Sequence, residues 1–260
     1  MEVVITSTAE EIAVIVADAI EALIARRPDA VLGLATGSSP LPVYDELTRR
    51  HEQRRLSFAA TSAFLLDEYV GLAAGHPQSY RAVIEREFTS RIDLGAARVH
   101  GPDGSAADLP AACAAYEASI ADAGGIDLQL LGIGADGHIG FNEPGSSLAS
   151  RTRLKTLTAQ TRRDNARFFE SIDAVPHHVL TQGVGTILGA RHLILVATGE
   201  SKADGVATTV EGPVSAFCPS SALQLHPHVS VVIDEAAASN LRLADYYREA
   251  YAGKPAWQGL

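Results

Sequence analysis

Five short apolar runs, at residues 31–35, 63–66, 126–133, 192–197 and 229–233, recur along this chain, and segments with helical periodicity fill the intervals. Short, near-continuous apolar runs are strands covered on both faces. When such strands alternate with helices, the stable packing is a mostly parallel sheet with a helical layer on each side. The expected fold is therefore α/β: a three-layer α/β/α sandwich built on a Rossmann-like sheet. No linker rich in Pro, Gly or Ser interrupts the 260 residues, so residues 1–260 are read as a single domain.

The intervals carry their own punctuation. Residues 3–6 suit an edge strand. Thr8 and Glu11 form a capping box ahead of Ile12, Ile15, Val16, Ile20, Leu23 and Ile24, and Arg26 and Arg27 close that helix where its dipole favours cations. Pro40 suits a helix first turn. Further helices are expected over 79–88, 106–123, 161–169, 176–188 and 239–252. A net charge of −10 argues against nucleic acid as a partner, though a few placed cations can still hold a small anion. Cys113 and Cys218 stand far apart and read as free thiols of a reducing compartment. The N-terminus lacks a basic leader, and no run approaches the roughly 20 apolar residues of a membrane span. The expectation is a cytoplasmic protein with no membrane partner.

In open parallel sheets, ligands bind beyond the carboxyl ends of the strands. Four segments there carry chemistry. Thr36-Gly37-Ser38-Ser39-Pro40 is a strand-to-helix turn whose free N–H groups and hydroxyls can cradle an anion, or simply start a capped helix. Asp67 ends an apolar strand ahead of Glu68; it can serve as a desolvated general base or cap a turn. Gly132-Ile133-Gly134-Ala135-Asp136-Gly137 matches a dinucleotide fingerprint, but the breakers of His138-Ile139-Gly140-Phe141-Asn142-Glu143-Pro144 follow where a helix should open, so that reading is rejected. Here His138 can shuttle protons, with Asp136 and Glu143 fixing its tautomer. No second histidine sits at ligand spacing, so no metal is expected. Lys202, at the first turn after a strand, gains nothing from the helix dipole unless it serves a ligand. Arg167 taken alone reads as a solvated cation. His177-His178 is read as opening a helix, and His226 and His228 as structural or surface residues.

Taken together, Leu66-Asp67-Glu68-Tyr69-Val70-Gly71, Gly134-x-Asp136-Gly137-His138-Ile139-x-Phe141-Asn142-Glu143-Pro144 and Ser147-Leu148-Ala149-Ser150-Arg151-Thr152-Arg153 resemble the glucosamine-6-phosphate deaminase family. Ala166-Arg167-Phe168-Phe169, Gly183-Val184-Gly185-Thr186 and Leu223-Gln224-Leu225-His226-Pro227 extend the resemblance over essentially the whole chain. Related 6-phosphogluconolactonases share the Gly-x-Asp-Gly-His element but typically lack Phe-Asn-Glu-Pro and Asp-Glu-Tyr-Val-Gly.

The resemblance implies conversion of glucosamine 6-phosphate and water to fructose 6-phosphate and ammonium, with no metal or organic cofactor. By it, Asp67 is the base for enolisation. His138 opens the sugar ring, supported by Asp136 and Glu143. Gly37, Ser38, Ser39, Arg167 and Lys202 hold the phosphate. It further implies a homo-hexamer in which N-acetylglucosamine 6-phosphate binds between subunits at Ser146, Arg153, Lys155 and Thr156. Two rivals share the scaffold: a 6-phosphogluconolactonase-like hydrolase, with little use for Asp67, and a non-catalytic sugar-phosphate sensor, with no use for proton-transfer groups.

Overall fold

The computed structural model describes every residue except Arg55, Ala74 and Ala256, and every remaining side chain except those of Gln160 and Asp164. Its strands are β1 (Glu2–Thr6), β2 (Val31–Leu34), β3 (Ser62–Leu65), β4 (Asp67–Tyr69), β5 (Val99–His100), β6 (Leu128–Leu131), β7 (Arg153–Thr156), β8 (His178–Thr181), β9 (His192–Ala197) and β10 (Val229–Asp234). Its α-helices are α1 (Ala9–Arg26), α2 (Leu41–Glu52), α3 (Tyr80–Glu87), α4 (Leu109–Asp122), α5 (Ala159–Asn165), α6 (Val184–Ile187), α7 (Ala203–Glu211) and α8 (Ala244–Ala252).

Seven strands form one sheet in the order β1-β10-β9-β6-β2-β3-β5, parallel at every pairing. Alternate residues of each central strand enter different cores, as a sheet buried on both faces requires. Ile194 and Val196 of β9 pack with α1, α2 and α3, whereas Leu193, Leu195 and Ala197 pack with α4, α6 and α7. This is the expected three-layer α/β sandwich. Half of the expected capping box forms: Thr8 Oγ1 accepts from the Glu11 N–H at 3.2 Å, while Glu11 Oε2 accepts from the Ser7 N–H at 2.7 Å, one residue ahead of the N-cap. Among the described residues no helix is long and apolar enough to cross a membrane.

A second sheet, β4-β8-β7, is antiparallel and was not expected. The chain leaves the large sheet after Leu65, so Asp67 opens a new strand instead of ending an old one. Residues 176–188 are not one helix. His178–Thr181 is the middle strand of the small sheet, and only Val184–Ile187 is helical. The apolar positions there fit a helical period, but pairing on both edges, with β4 and β7, decides for strand. His178 accordingly opens a strand. The helix expected over 161–169 begins at Ala159, capped by Thr158, and tightens into a 3₁₀ turn at Ala166–Phe168. The last helix starts at Ala244, not 239: just ahead of it the Arg242 and Leu243 N–H groups go to the Glu211 carboxylate, at 2.9 Å each, instead of into a helical ladder. Pro40 sits at the N-cap of α2, and Pro42 occupies the first turn instead.

Candidate active site

The strand order places the chemistry. From β2 the sheet grows one way through β3 and β5, then returns to β6 on the other side of β2 and grows through β9 and β10. The boundary between β2 and β6 is thus a topological switch point, where α/β sheets open a crevice at their carboxyl ends. The turns after β2 (36–40), after β6 (134–144) and after β9 (198–202) come from three adjacent strands.

The loop after β6 is shaped by glycine. Gly134 N–H donates to His138 O at 2.9 Å and Gly137 N–H to Gly134 O at 3.1 Å, closing a tight turn in which Gly137 holds φ +81°. A Cβ on Gly134 would fall 2.2 Å from the His138 ring, so only glycine lets the imidazole fold back over this backbone. Farther along, Phe141 N–H donates to Thr181 Oγ1 at 3.1 Å, and Asn142 Nδ2 donates to Ile139 O and Gln182 O at 2.8 Å each. The loop is thereby sewn to the end of β8, which in turn pairs Thr181 with Asp67.

His138 Nδ1 lies 2.7 Å from Asp136 Oδ1 and 3.7 Å from Glu143 Oε2. A carboxylate only accepts, so Nδ1 carries the proton and Nε2 is left for exchange. Partial burial pulls the His138 pKa down, but the Asp136 hydrogen bond and the charges of Asp136 and Glu143 outweigh it, and the net shift is upward. The His138 hydrogen bond and charge hold the Asp136 carboxyl well below its usual range. Glu143 is itself steadied by Thr161, whose hydroxyl donates to Oε1 at 2.9 Å. The donor atoms of these three side chains lie within 4.8 Å of one another, a spacing that suits a shared proton and would also admit a cation.

Asp67 belongs to the same place. A Cβ on Gly140 would lie 3.7 Å from Asp67 Oδ2, so this carboxylate faces the loop two residues from His138. Asp67 is only 5% exposed, and among the described residues no donor hydrogen-bonds its carboxylate. Burial first, and the neighbouring Glu68 second, push its pKa up to about 8. Glu68 does different work: its carboxylate takes the N–H groups of Tyr69, Tyr80 and Arg81 and starts α3.

Gly37–Ser39 and Lys202, expected to hold an anion, follow β2 and β9, the two neighbours of β6 in the sheet. Gly37 holds φ +103°, and among the described residues no atom lies within 4 Å of the Cβ it lacks. Ser38 is exposed and Ser39 half-buried, and among the described residues no side chain caps α2. The buried Tyr44 hydroxyl pins the end of β2, donating to Ala35 O at 2.7 Å and accepting from Ala35 N–H at 3.1 Å. Lys202 closes a 3₁₀ turn after β9. Burial lowers its pKa, Asp136 raises it and Arg167 lowers it further, which ties Lys202 electrostatically to both. Arg167 is exposed, with its guanidinium 4.7 Å over the Phe168 ring.

The four residues expected to regulate are less unified. Arg153 and Lys155 project from one face of β7, with no carboxylate paired to either among the described residues, and Thr156 projects from the opposite face. Ser146 is buried, and among the described residues its Oγ has no hydrogen-bond partner. His226 is structural, as expected, with both ring nitrogens on backbone carbonyls. Thr161 and Thr181 escaped sequence reasoning because their partners lie 18 and 40 residues away, with no local motif to mark them.

Residues 5–232 match the family model for glucosamine-6-phosphate isomerases/6-phosphogluconolactonase. The chain is 70% identical to the glucosamine-6-phosphate deaminase of Arthrobacter sp. strain FB24 over 260 residues, all of both chains. It is 64% identical to that of Mycolicibacterium smegmatis over 261 residues, again spanning both. Among solved structures, a monomeric glucosamine-6-phosphate deaminase superposes with TM-score 0.89 at 46% identity, covering 92% of this chain and 100% of the other. The 6-phosphogluconolactonase of Trypanosoma cruzi shares the fold, with TM-score 0.74 at 21% identity over 93% of this chain and 97% of its own. The chain belongs to the glucosamine-6-phosphate isomerase/6-phosphogluconolactonase family.

Proposed function

We propose that this chain is a glucosamine-6-phosphate deaminase, with residues 1–260 acting as one sugar-phosphate deaminase/isomerase domain in the cytoplasm. The observation that carries this reading is the buried, unpaired Asp67 carboxylate beside the loop of His138. A hexose phosphate exists mostly as a closed ring. His138 relays a proton from the O1 hydroxyl to the ring oxygen, and the C1–O5 bond breaks to give the open aldehyde. Asp67 then removes the C2 proton while O1 gains one, giving an enolamine. Return of a proton to C1 yields a ketimine, whose carbon adds water and expels ammonia. The products are fructose 6-phosphate and ammonium. Carbon acids are weak, so the C2 step needs a poorly solvated base held on target.

The cradle at Gly37, Ser38 and Ser39, with Arg167 and Lys202, holds the phosphate and orients the reacting end through remote binding energy. A lactone hydrolase would use His138 to activate water and leave Asp67 idle, and a sensor would need neither. The decisive assay follows ammonium from glucosamine 6-phosphate, with 6-phosphogluconolactone in parallel. Stoichiometric ammonium and fructose 6-phosphate are expected; lactone hydrolysis without ammonium overturns the reading.

The resemblance adds a homo-hexamer regulated by N-acetylglucosamine 6-phosphate at Ser146, Arg153, Lys155 and Thr156. The two half-buried cations on one face of β7 support an anion there. A monomer by light scattering rejects the hexamer. A substrate-saturation curve unmoved by N-acetylglucosamine 6-phosphate rejects the regulation.

A further inference from the structure

Against the 134–137 turn lies a buried polar chain that the proposed reaction does not use. Thr209 and Ser220 are fully buried and Cys218 is 3% exposed. Thr209 Oγ1 donates to Gly205 O at 2.6 Å, one turn back in α7. Its only proton is then committed, so Ser220 Oγ, 2.5 Å away, donates to Thr209 Oγ1. The Cys218 thiol, 3.4 Å from Ser220 Oγ, donates in its turn. The hydroxyls and thiol thus form one directed relay ending on a helix carbonyl, in which each bond polarises the next.

Both ends of the relay touch the catalytic turn. Ser220 N–H donates to Gly137 O at 3.0 Å. A Cβ on Gly137 would stand 2.3 Å from Cys218 Sγ, and one on Gly205 would stand 2.7 Å from Gly134 O. The 134–137 backbone is therefore clamped between the Cys218–Ser220 segment and the first turn of α7. That helix also begins immediately after Lys202.

We propose that Thr209, Ser220 and Cys218 are positioning residues, a brace that sets the Asp136–His138 pair against Lys202. The inference takes its reaction from the function proposed above. Apolar side chains of the same size would fill this space, but only the hydroxyl relay fixes the rotamer of Ser220 and with it the height of the turn. A shift of the turn of about 1 Å moves the imidazole off its proton-transfer path.

The test is Thr209→Val, which keeps the shape and removes the hydroxyl. Expected results are a loss of roughly 10- to 100-fold in kcat, a smaller change in KM, and loss or broadening of the downfield His138 Nδ1–H proton resonance. Thr209→Ser restores the hydroxyl and should recover both. A folded Thr209→Val protein with parental kcat and an unchanged imidazole resonance overturns the proposal. Ser220→Ala repeats the test if Thr209→Val does not fold. If neither folds, the chain serves stability and the proposal fails. Should the unaltered protein release no ammonium, the deaminase reading falls, while the resonance still reports on the brace.

Discussion

The two sheets divide the labour. The seven-stranded parallel sheet is apolar on both faces, and its side chains alternate between two cores. The three-stranded antiparallel sheet is short and mixed in character, made from Asp67-Glu68-Tyr69, Arg153-Leu154-Lys155-Thr156 and His178-Val179-Leu180-Thr181, around a small cluster in which Leu72, Tyr80 and Phe169 pack against the buried Tyr69, Phe141, Leu157 and Val179. The large sheet sets where strand tips stand. The small one buries a carboxylate against the loop of the histidine and anchors that loop. Stability should therefore reside in one and reactivity in the other.

The sharpest way to break this contrast is Asp67→Asn in the small sheet. Ammonium release should fall about 10²- to 10⁴-fold with sugar-phosphate binding retained, read by steady-state kinetics and calorimetry. Near-normal turnover removes Asp67 from the reaction. The same group sets a pH dependence. Only the carboxylate can accept the C2 proton, so kcat/KM should climb with pH through about 8 and flatten above it. Stability moves the other way. The folded-state pKa lies above the unfolded value, so the fold favours protonated Asp67 and loses stability as pH rises from about 4 to about 8. Asp67→Asn should consequently melt at least about 2 °C above the parent at pH 8.

Leu195→Ala, in the centre of the large sheet, should cost about 2–5 kcal/mol in denaturant unfolding while the surviving folded enzyme keeps its kcat. A matching loss of kcat would blur the division. Thr181→Val sits where the two regions meet. It strands the buried Phe141 N–H, so about 1–3 kcal/mol of stability and part of kcat should go together. Thr8→Ala, remote from both, should cost about 1 kcal/mol through the lost helix cap and leave the kinetics untouched.

The same contrast explains what could be read without coordinates. Buried parallel strands announce themselves as apolar runs, so β2, β3, β6, β9 and β10 were legible. Glycines and titratable groups at their tips marked His138, Asp136 and Glu143. The small sheet was not legible, because its strands mix polar and apolar residues without a clear alternation over only three or four positions, and in 176–188 a helical period fitted as well. The sequence marks Asp67 as a candidate base but puts it at the end of a strand of the large sheet, whereas it opens a strand of the small one. What surrounds it, Thr181 and Gly140 above all, depends on pairings between residues far apart in sequence.

The seam between β2 and β6 has a further consequence. Those strands pair over only Leu32 with Leu128 and Gly33 with Gln129. Just before that pairing, Asp127 fastens them: its N–H donates to Val31 O at 2.8 Å, its Oδ2 accepts from Val31 N–H at 2.8 Å, and Arg27 and Arg191 clasp its Oδ1 at 2.7 and 2.9 Å. An ionic rivet thus fastens β2 to β6 at their amino ends, opposite the strand tips that carry the candidate site.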